Sequence, residues 1–457
     1  MTVTCISPID GSTYATRAVL TEFEAAEAVA KGQAAQVAWA ARPLQERIDL
    51  VLAGVANVGA MNDAIVPELA WQMGRPVRYG GEFGGFEERA THMAHIAAEA
   101  LAPLEVEDSG AFRRRIKRVP QGLVLVVAPW NYPYMTAINT VAPALIAGNA
   151  VMLKHASQTP LVGERMARAF HDAGVPTDVF QNVFLDHTTT SALIADRAFG
   201  FVNFTGSVSG GRTIEKAAAG TFTGLGLELG GKDPGYVCAD ADLEAAAETL
   251  IDGAMFNSGQ CCCGIERIYV AEPLFERFVD KAVSIVEGYR LGNPLEQETT
   301  LGPMAQVRFA DLVRAQTSEA VAAGARALID PALFPQDAGA YLMPQILVDV
   351  DHSMRVMREE SFGPVVGIIP VKDDAEAIRL MNDSDYGLTA SVWTQDVARA
   401  EAIGDAIETG TVFMNRADYL DPGLCWTGCK DTGRGGGLSA IGYHNLTRPK
   451  SYHLKKG

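Results

Sequence analysis

Three consecutive cysteines, Cys261, Cys262 and Cys263, stand in the string NSGQCCCG, after a helix-forming segment and before a strand-forming one. A thiol is the best side-chain nucleophile near neutral pH. A cysteine can also be a small buried apolar residue. Three together on a glycine-flanked turn are harder to explain as packing, because neighbours are expected to point in different directions. By the same reasoning they should not bridge one another or wrap a tetrahedral ion. No histidine or CxxC partner lies nearby, and Cys425 and Cys429 lack a second ligand pair, so no metal is expected. Glu228, in GLGLELGGK, is a carboxylate at an apolar, glycine-rich strand end. Burial raises a carboxyl pKa toward the range in which a general base works. Pairing with a distant Lys or Arg would account for it equally. Its Gly-x-Gly ends a strand instead of opening a turn into a helix, so it does not fit the dinucleotide fingerprint.

Asn131, in APWNYP, follows a buried-strand pattern. Its amide is a neutral donor suited to an oxyanion. Taken alone, a turn-forming Asn before Tyr-Pro is the simpler account. Lys154 ends another strand, in MLKHASQTP, where it can reach ligand hydroxyls or phosphates, or snorkel to water. FTGSVSGG passes from strand to helix. There Gly206 and Ser207 would offer free N–H groups to a phosphate, a role compatible with N-capping by Ser207.

These strings need a scaffold that brings them together. GLVLVVAP is a continuous apolar run that suits a strand buried on both faces. From residue 122, strands (122–127, 150–154, 179–184, 199–204) alternate with helices (137–147, 160–173, 207–219). A second alternation starts near Asp233: helix 241–256, strand 266–271, helix 273–287, strand 365–370, helix 374–381 and strand 411–415. Such alternation predicts βαβ units and parallel sheets, which bind ligands outside the carboxyl ends of their strands. Before it, residues 21–60 read as two amphipathic helices and residues 87–101 as a third. Residues 104–119, broken at Asp108-Ser109-Gly110, read as a hairpin whose Arg-rich arm is placed at a sheet edge. The strand-like tail SYHLK is free to pair with an exposed edge.

The 457 residues exceed one hydrophobic core, so two or three domains are expected. A net charge of −17 disfavours nucleic acid and anionic membrane as partners. The run Arg113, Arg114, Arg115, Lys117, Arg118 is the local exception. It reads as a solvated or intersubunit face ahead of a phosphate patch. The N-terminus lacks a signal-peptide pattern, no run of about 18 apolar residues is present, and seven cysteines do not suit a disulfide framework. A cytoplasmic chain with reduced thiols is the expectation.

APWNYP, KHASQTP, FTGSVSGG, LELGGKDP, NSGQCCCG and EESFGP occur in this order. Each string is weak alone. Together, over nearly the whole chain, the sequence resembles the aldehyde dehydrogenase superfamily. The resemblance implies an α/β fold in three parts: a Rossmann-like cofactor domain (1–102 and 121–231), an α/β catalytic domain (232–444) and a small β oligomerisation element (103–120 and 445–457). It implies oxidation of an aldehyde to a carboxylic acid with NAD or NADP, in a homodimer or homotetramer whose partner is a small-molecule aldehyde. By resemblance, Cys262 is the nucleophile, Asn131 and the Cys262 N–H hold the oxyanion, and Glu228 activates the hydrolytic water. Lys154 would bind the adenosine ribose, Gly206 and Ser207 the pyrophosphate, and Glu360 the nicotinamide ribose. Phe362 would pack beside the nicotinamide, Trp130 would border the cofactor cleft, and Asn415 would be structural near the active site. Tyr132, Met135, Thr136, Asn139, Leu420 and Trp426 would line the substrate tunnel.

The sequence departs from the family in several places. The extra N-terminal strands of many relatives are not expected. His155 stands where Pro is more usual. Ser157 stands where NAD-preferring members often have Glu, and Ser cannot repel a 2′-phosphate, so NADP should be tolerated. Trp426 and Cys429 fall where the substrate entrance varies. No Arg pair marks a carboxylated substrate. Three rival readings are a CoA-acylating enzyme, which typically lacks the Glu228 base, a non-catalytic relative, and a cysteine hydrolase, which would need a His base.

Overall fold

The computed structural model describes residues 1–417 and 419–457. Its first sheet has six strands in the order Gly433–Arg434, Gly224–Glu228, Phe201–Thr205, Leu123–Val127, Ala150–Lys154 and Phe180–Asn182. The last five are parallel, and Gly433–Arg434 runs antiparallel to Gly224–Glu228. The period-2 geometry of a strand explains why GLVLVV is apolar throughout. Val124 and Val126 enter one core with Val51, Val141 and Phe170, while Leu123 and Leu125 enter the opposite core with Ala25, Val29 and Ile214. Both faces are covered by helices, so no position in the strand can be polar.

The second sheet has seven strands, in the order Arg326–Ala327, Gln345–Val348, Val365–Val371, Ile265–Ala271, Asp233–Val237, Thr389–Trp393 and Thr411–Met414. All neighbours are parallel except the first pair. Most expected elements fall within a few residues of those observed. The helix after PWNYP begins earlier than its apolar pattern, at Pro133, because Pro at the first helical position has no N–H to leave unsatisfied. Strand Thr389–Trp393 was not foreseen. Its Thr389 and Ser391 are buried yet polar, and they spend their hydroxyls on Asp233 and on the Arg416 carbonyl. Internal pairing of this kind hides a core strand from a hydropathy reading. Helices Asn62–Met73, Val307–Ala322 and Val397–Ala406 were also missed.

Three further expectations change. An N-terminal strand pair is present, Thr2–Ile6 with Thr13–Ala18. The Arg-rich arm is not an edge: Phe112–Pro120 is the central strand of a three-stranded antiparallel sheet, between Leu104–Asp108 and the tail Thr447–Lys455. Arg114 pairs with Glu107, and Arg115 and Lys117 lie over the Tyr452 ring. Finally, Gly433–Arg434 returns from the C-terminal part of the chain to complete the first sheet, so residues 232–444 do not stay with the second sheet alone. Among the described residues no single helix is long and apolar enough to cross a membrane.

Candidate active site between the two sheets

Two cavities meet beneath the cysteine turn. The first, of about 370 Å³, is lined by Tyr132, Met135, Thr136, Asn139, Leu420 and Trp426, all six of the tunnel candidates. The second, of about 280 Å³, is lined by Trp130, Gly206, Ser207, Glu360 and Phe362. Five residues line both: Cys262, Glu228, Thr136, Thr205 and Leu229. All three cysteines border the first cavity, but among them only Cys262 borders the second.

The cysteine turn is built by backbone that most residues avoid. Helix Leu243–Met255 breaks into a tight turn with Asn257 and Ser258 at φ 54° and 56°. Gly259 follows at φ +70°, where a Cβ would sit 2.3 Å from the Gly363 carbonyl. The Gly264 N–H then closes onto the Cys261 carbonyl at 3.2 Å. This closure overturns the expectation that the three side chains diverge. Cys261 and Cys263 sulfurs are 3.5 Å apart, and all three sulfurs lie within 4.8 Å of one another. Cys261 and Cys263 are buried, whereas Cys262 is partly exposed.

Asn131 is buried, and its amide donates to the Gln260 carbonyl at 3.1 Å, two residues before Cys262. An amide nitrogen has two hydrogens, so one donor remains for a ligand oxygen. The Asn131 carbonyl accepts from Arg75 Nη2 and from Asn257 Nδ2. Arg75 is itself paired with buried Glu82 at 2.7 Å, and Glu82 accepts the Met135 N–H. A buried ion pair thus pins the PWNYP turn against the cysteine turn. Sequence reasoning missed it, because an Arg and a Glu seven residues apart carry no burial signal.

Glu228 ends its strand and accepts a hydrogen bond from Thr205 at 3.2 Å. Desolvation pushes its carboxyl up to about 7, against the Thr205 hydrogen bond and the field of Arg89. Glu360 lines the second cavity with it. Burial and the charge of Glu266 push that carboxyl up to about 8, opposed by the Gly231 N–H that it accepts at 3.0 Å. A Cβ on Gly230 would lie 2.4 Å from the Glu360 carboxylate, so the Gly-Gly pair is what lets Glu360 approach. The loop that follows is held by the buried Lys232–Glu266 pair. Lys232 donates to Ser361 Oγ at 3.0 Å, and Glu266 accepts the Ser361 and Phe362 N–H groups. Phe362, at φ 52°, meets Trp130 edge-on at 5.6 Å. Phe309 stacks on Trp130 at 5.3 Å. Phe309 completes an aromatic slot that the sequence reading did not include, since its helix was not foreseen.

Lys154 and Ser157 do not line the second cavity. Lys154 sits one strand along, opposite Val127 in register, and Val127 is opposite Phe204. Lys154 is buried, its pKa lowered mainly by desolvation, and its ammonium donates to no protein atom among the described residues. Ser157 is exposed beyond it. His155 is buried and near 4 in pKa through desolvation, so it is neutral. Its ring contacts the Pro133 carbonyl at 3.3 Å and ties the strand end to the start of the preceding helix, Pro133–Ile146. Ser207 caps helix Val208–Ala218 through the Gly210 N–H. The Gly206 N–H is not free as expected: it donates to the Glu228 carbonyl at 3.0 Å. Gly206 is needed for space instead, because a Cβ would lie 2.8 Å from the Phe204 ring. Asn415 lines neither cavity. It bonds both Thr394 backbone groups at the end of strand Thr389–Trp393.

The residues present fit a nicotinamide dinucleotide. Lys154, buried and without a protein partner among the described residues, the Trp130 turn and the side-chain-free Gly206 follow the carboxyl ends of neighbouring strands of the first sheet, while Glu360 reaches the second cavity from the loop before Val365–Val371. The sequence pattern of the Aldehyde dehydrogenase family matches residues 1–452. An aldehyde dehydrogenase from Paenarthrobacter nicotinovorans is 33% identical, over 99% of both chains. The succinate-semialdehyde dehydrogenase [NADP(+)] of Deinococcus radiodurans is 30% identical, over 97% of this chain and 93% of that one. The NADP-dependent glyceraldehyde-3-phosphate dehydrogenase of Bacillus halodurans, solved with NADP, superposes with a TM-score of 0.92 and 31% identity, over 100% of this chain and 96% of that one. The chain belongs to the aldehyde dehydrogenase family, and it oxidises an aldehyde to a carboxylic acid with NAD or NADP.

Proposed function

We propose that the Cys262 thiolate attacks the aldehyde carbon from the junction of the two cavities. The oxyanion that forms is held by the second Asn131 amide hydrogen and by the Cys262 N–H. The dinucleotide, when bound through Trp130, Gly206, Ser207, Glu360 and Phe362 with Lys154 and Ser157 at its adenosine end, supplies the hydride acceptor. Glu228 then takes a proton from water as its oxygen attacks the thioester carbon, which expels the Cys262 thiolate and releases the carboxylic acid. The observation that carries this reading is that Cys262 and Glu228 are the nucleophile and base common to both cavities. A base near 7 is half ionised at working pH, which suits proton removal from water. Glu228 also favours hydrolysis over acyl transfer to CoA. The six tunnel residues would enclose the acyl chain. Exposed Ser157 leaves room for a 2′-phosphate, so both dinucleotides should serve.

The domain division proposed for the chain keeps 1–102 with 121–231 as the cofactor part, 232–444 as the catalytic part save for Gly433–Arg434, which completes the first sheet, and the three-stranded sheet as a separate element. That sheet presents Leu104, Val106 and Leu454 to solvent, which supports its use as an interface in a homodimer or homotetramer. A cytoplasmic location rests on the cysteine usage of the sequence.

Rapid mixing of the Glu228→Gln variant with aldehyde and dinucleotide tests the mechanism. A hydride burst should survive, while steady-state turnover falls by about 10²–10⁴-fold, the usual weight of a general base. Loss of the burst in a folded variant would place Glu228 in the first half-reaction instead.

A further inference from the structure

The first cavity contains a cation that this chemistry does not use. Arg89 lies on helix Phe83–Ala100, is 8% exposed, and lines the same cavity as Cys262. Taking a guanidinium out of water costs several kcal/mol unless charge and hydrogen bonds compensate. Here the protein compensates only in part. Nη1 donates to the Met135 carbonyl at 3.0 Å and to Asn139 Oδ1 at 3.3 Å, both neutral acceptors. Among the described residues, Nε and Nη2 donate to no protein atom, and no carboxylate oxygen comes within 4.0 Å of the guanidinium. Neither nitrogen is sealed from the cavity, since neither is among the fully buried polar atoms that lack a partner. The wall around it is largely apolar, with Met135, Leu420 and Trp426. Asn139 spends its oxygen on Arg89, which leaves its amide nitrogen as another donor. Glu88 and Glu228 line the same cavity beyond ion-pair distance, so the guanidinium keeps open donors without a carboxylate contact.

We propose that Arg89 binds a carboxylate at the far end of the acyl chain, so that the preferred substrates are short aldehydes bearing an ω-carboxylate. A planar guanidinium with two open N–H directions matches a carboxylate side-on. A single negative charge suits the site better than a phosphate dianion, because Glu88 and Glu228 line the same cavity. The sequence reading looked for a pair of arginines, and the structure offers a single one, buried, from a helix that precedes every motif. The proposal rests on the reading of Cys262 as nucleophile.

The test compares ω-carboxy aldehydes with methyl-terminated and phosphate-terminated aldehydes of equal chain length, on the wild type, Arg89→Lys and Arg89→Met. The wild type should favour the carboxylated series by at least about tenfold in kcat/KM. Arg89→Met should lose about 10–100-fold on that series, mainly through KM, as expected for one charged hydrogen-bonded contact. Because the Arg89 field also acts on Glu228, the loss is read as a ratio to the same variant's rate on methyl-terminated aldehydes, and Arg89→Lys should recover part of it. No carboxylate preference in the wild type, or equal losses on both series in Arg89→Met, would overturn the assignment while leaving Cys262 chemistry intact. A preference for the phosphate-terminated series would overturn the carboxylate. Absence of any hydride burst, with every aldehyde, would instead sink the underlying reading and this one with it.

Discussion

The two cavities that meet at Cys262 are built by different means. The cofactor side is made of strand ends and the turns that leave them: Trp130 after one strand, Gly206 after another, Glu228 and Gly230 after a third. Its glycines answer local steric demands, so its identity is written in short contiguous strings. The substrate side is made of side chains from helices Phe83–Ala100 and Pro133–Ile146 and from the segment around Leu420 and Trp426. Its residues are ordinary ones on helix faces, hundreds of positions apart. The lesson is that backbone constraint leaves a trace in a string read alone, whereas the assembled wall was foreseen only where the family resemblance carried it, and Arg89 was not.

Asn131 lines the second cavity and reaches the cysteine turn, and of the variants that compare the two sides it should give the largest effect. Asn131→Ala should lower kcat by about 10²–10³-fold, the usual consequence of losing one oxyanion donor. Binding of dinucleotide, read by quenching of protein fluorescence, should hardly change. A matching loss of dinucleotide affinity would blur the distinction between the two cavities. Gly230→Ala should act on the cofactor side alone, because its Cβ would strike the Glu360 carboxylate. We expect KM for the dinucleotide to rise by roughly tenfold, equivalent to about 1.4 kcal/mol. KM for the aldehyde should remain near that of the wild type, and a parallel rise would show the cavities to be mechanically coupled.

The smallest effect is on stability. The Glu228 carboxyl is about 7 in the folded chain against an ordinary 4.5, so the fold holds this proton more tightly than the unfolded chain does. Its stabilisation is complete below about 4.5 and is lost as pH rises through 7. Glu228→Gln should therefore raise the thermal midpoint at pH 8 relative to the wild type. That advantage should shrink to nothing below about pH 4.5. An advantage that is constant with pH would mean that burial of the charge is not the cause.

Much of the scaffold was readable. The two alternating regions mark parallel sheets, and Leu123–Val127 is buried on both faces because its pattern leaves no polar position. Strand Thr389–Trp393 escaped notice because Thr389 and Ser391 satisfy their hydroxyls internally. The Arg-rich arm was misplaced because charge was taken as a sign of an edge. In the fold, Glu105, Glu107 and Asp108 on its neighbouring strand answer those arginines, and Tyr452 covers two of its cations. The divergence expected for the three cysteines failed for a similar reason: the turn that gathers their sulfurs depends on positive φ at Asn257 and Ser258, stabilised from Asn131.

The sequence by itself determined the family, and it singled out one of three thiols and one carboxyl as the proposed nucleophile and base, with the order of the strand-end motifs. These are local properties, set by residue type and by the few backbone shapes each string allows. Only the tertiary structure decided that Arg75 and Glu82 brace Asn131, that Phe309 closes the aromatic slot, and that Arg89 points a partly unmatched charge into the substrate cavity. Each of those depends on which helix faces are pressed together, and a charged side chain on a helix carries no mark of whether water or a buried wall awaits it.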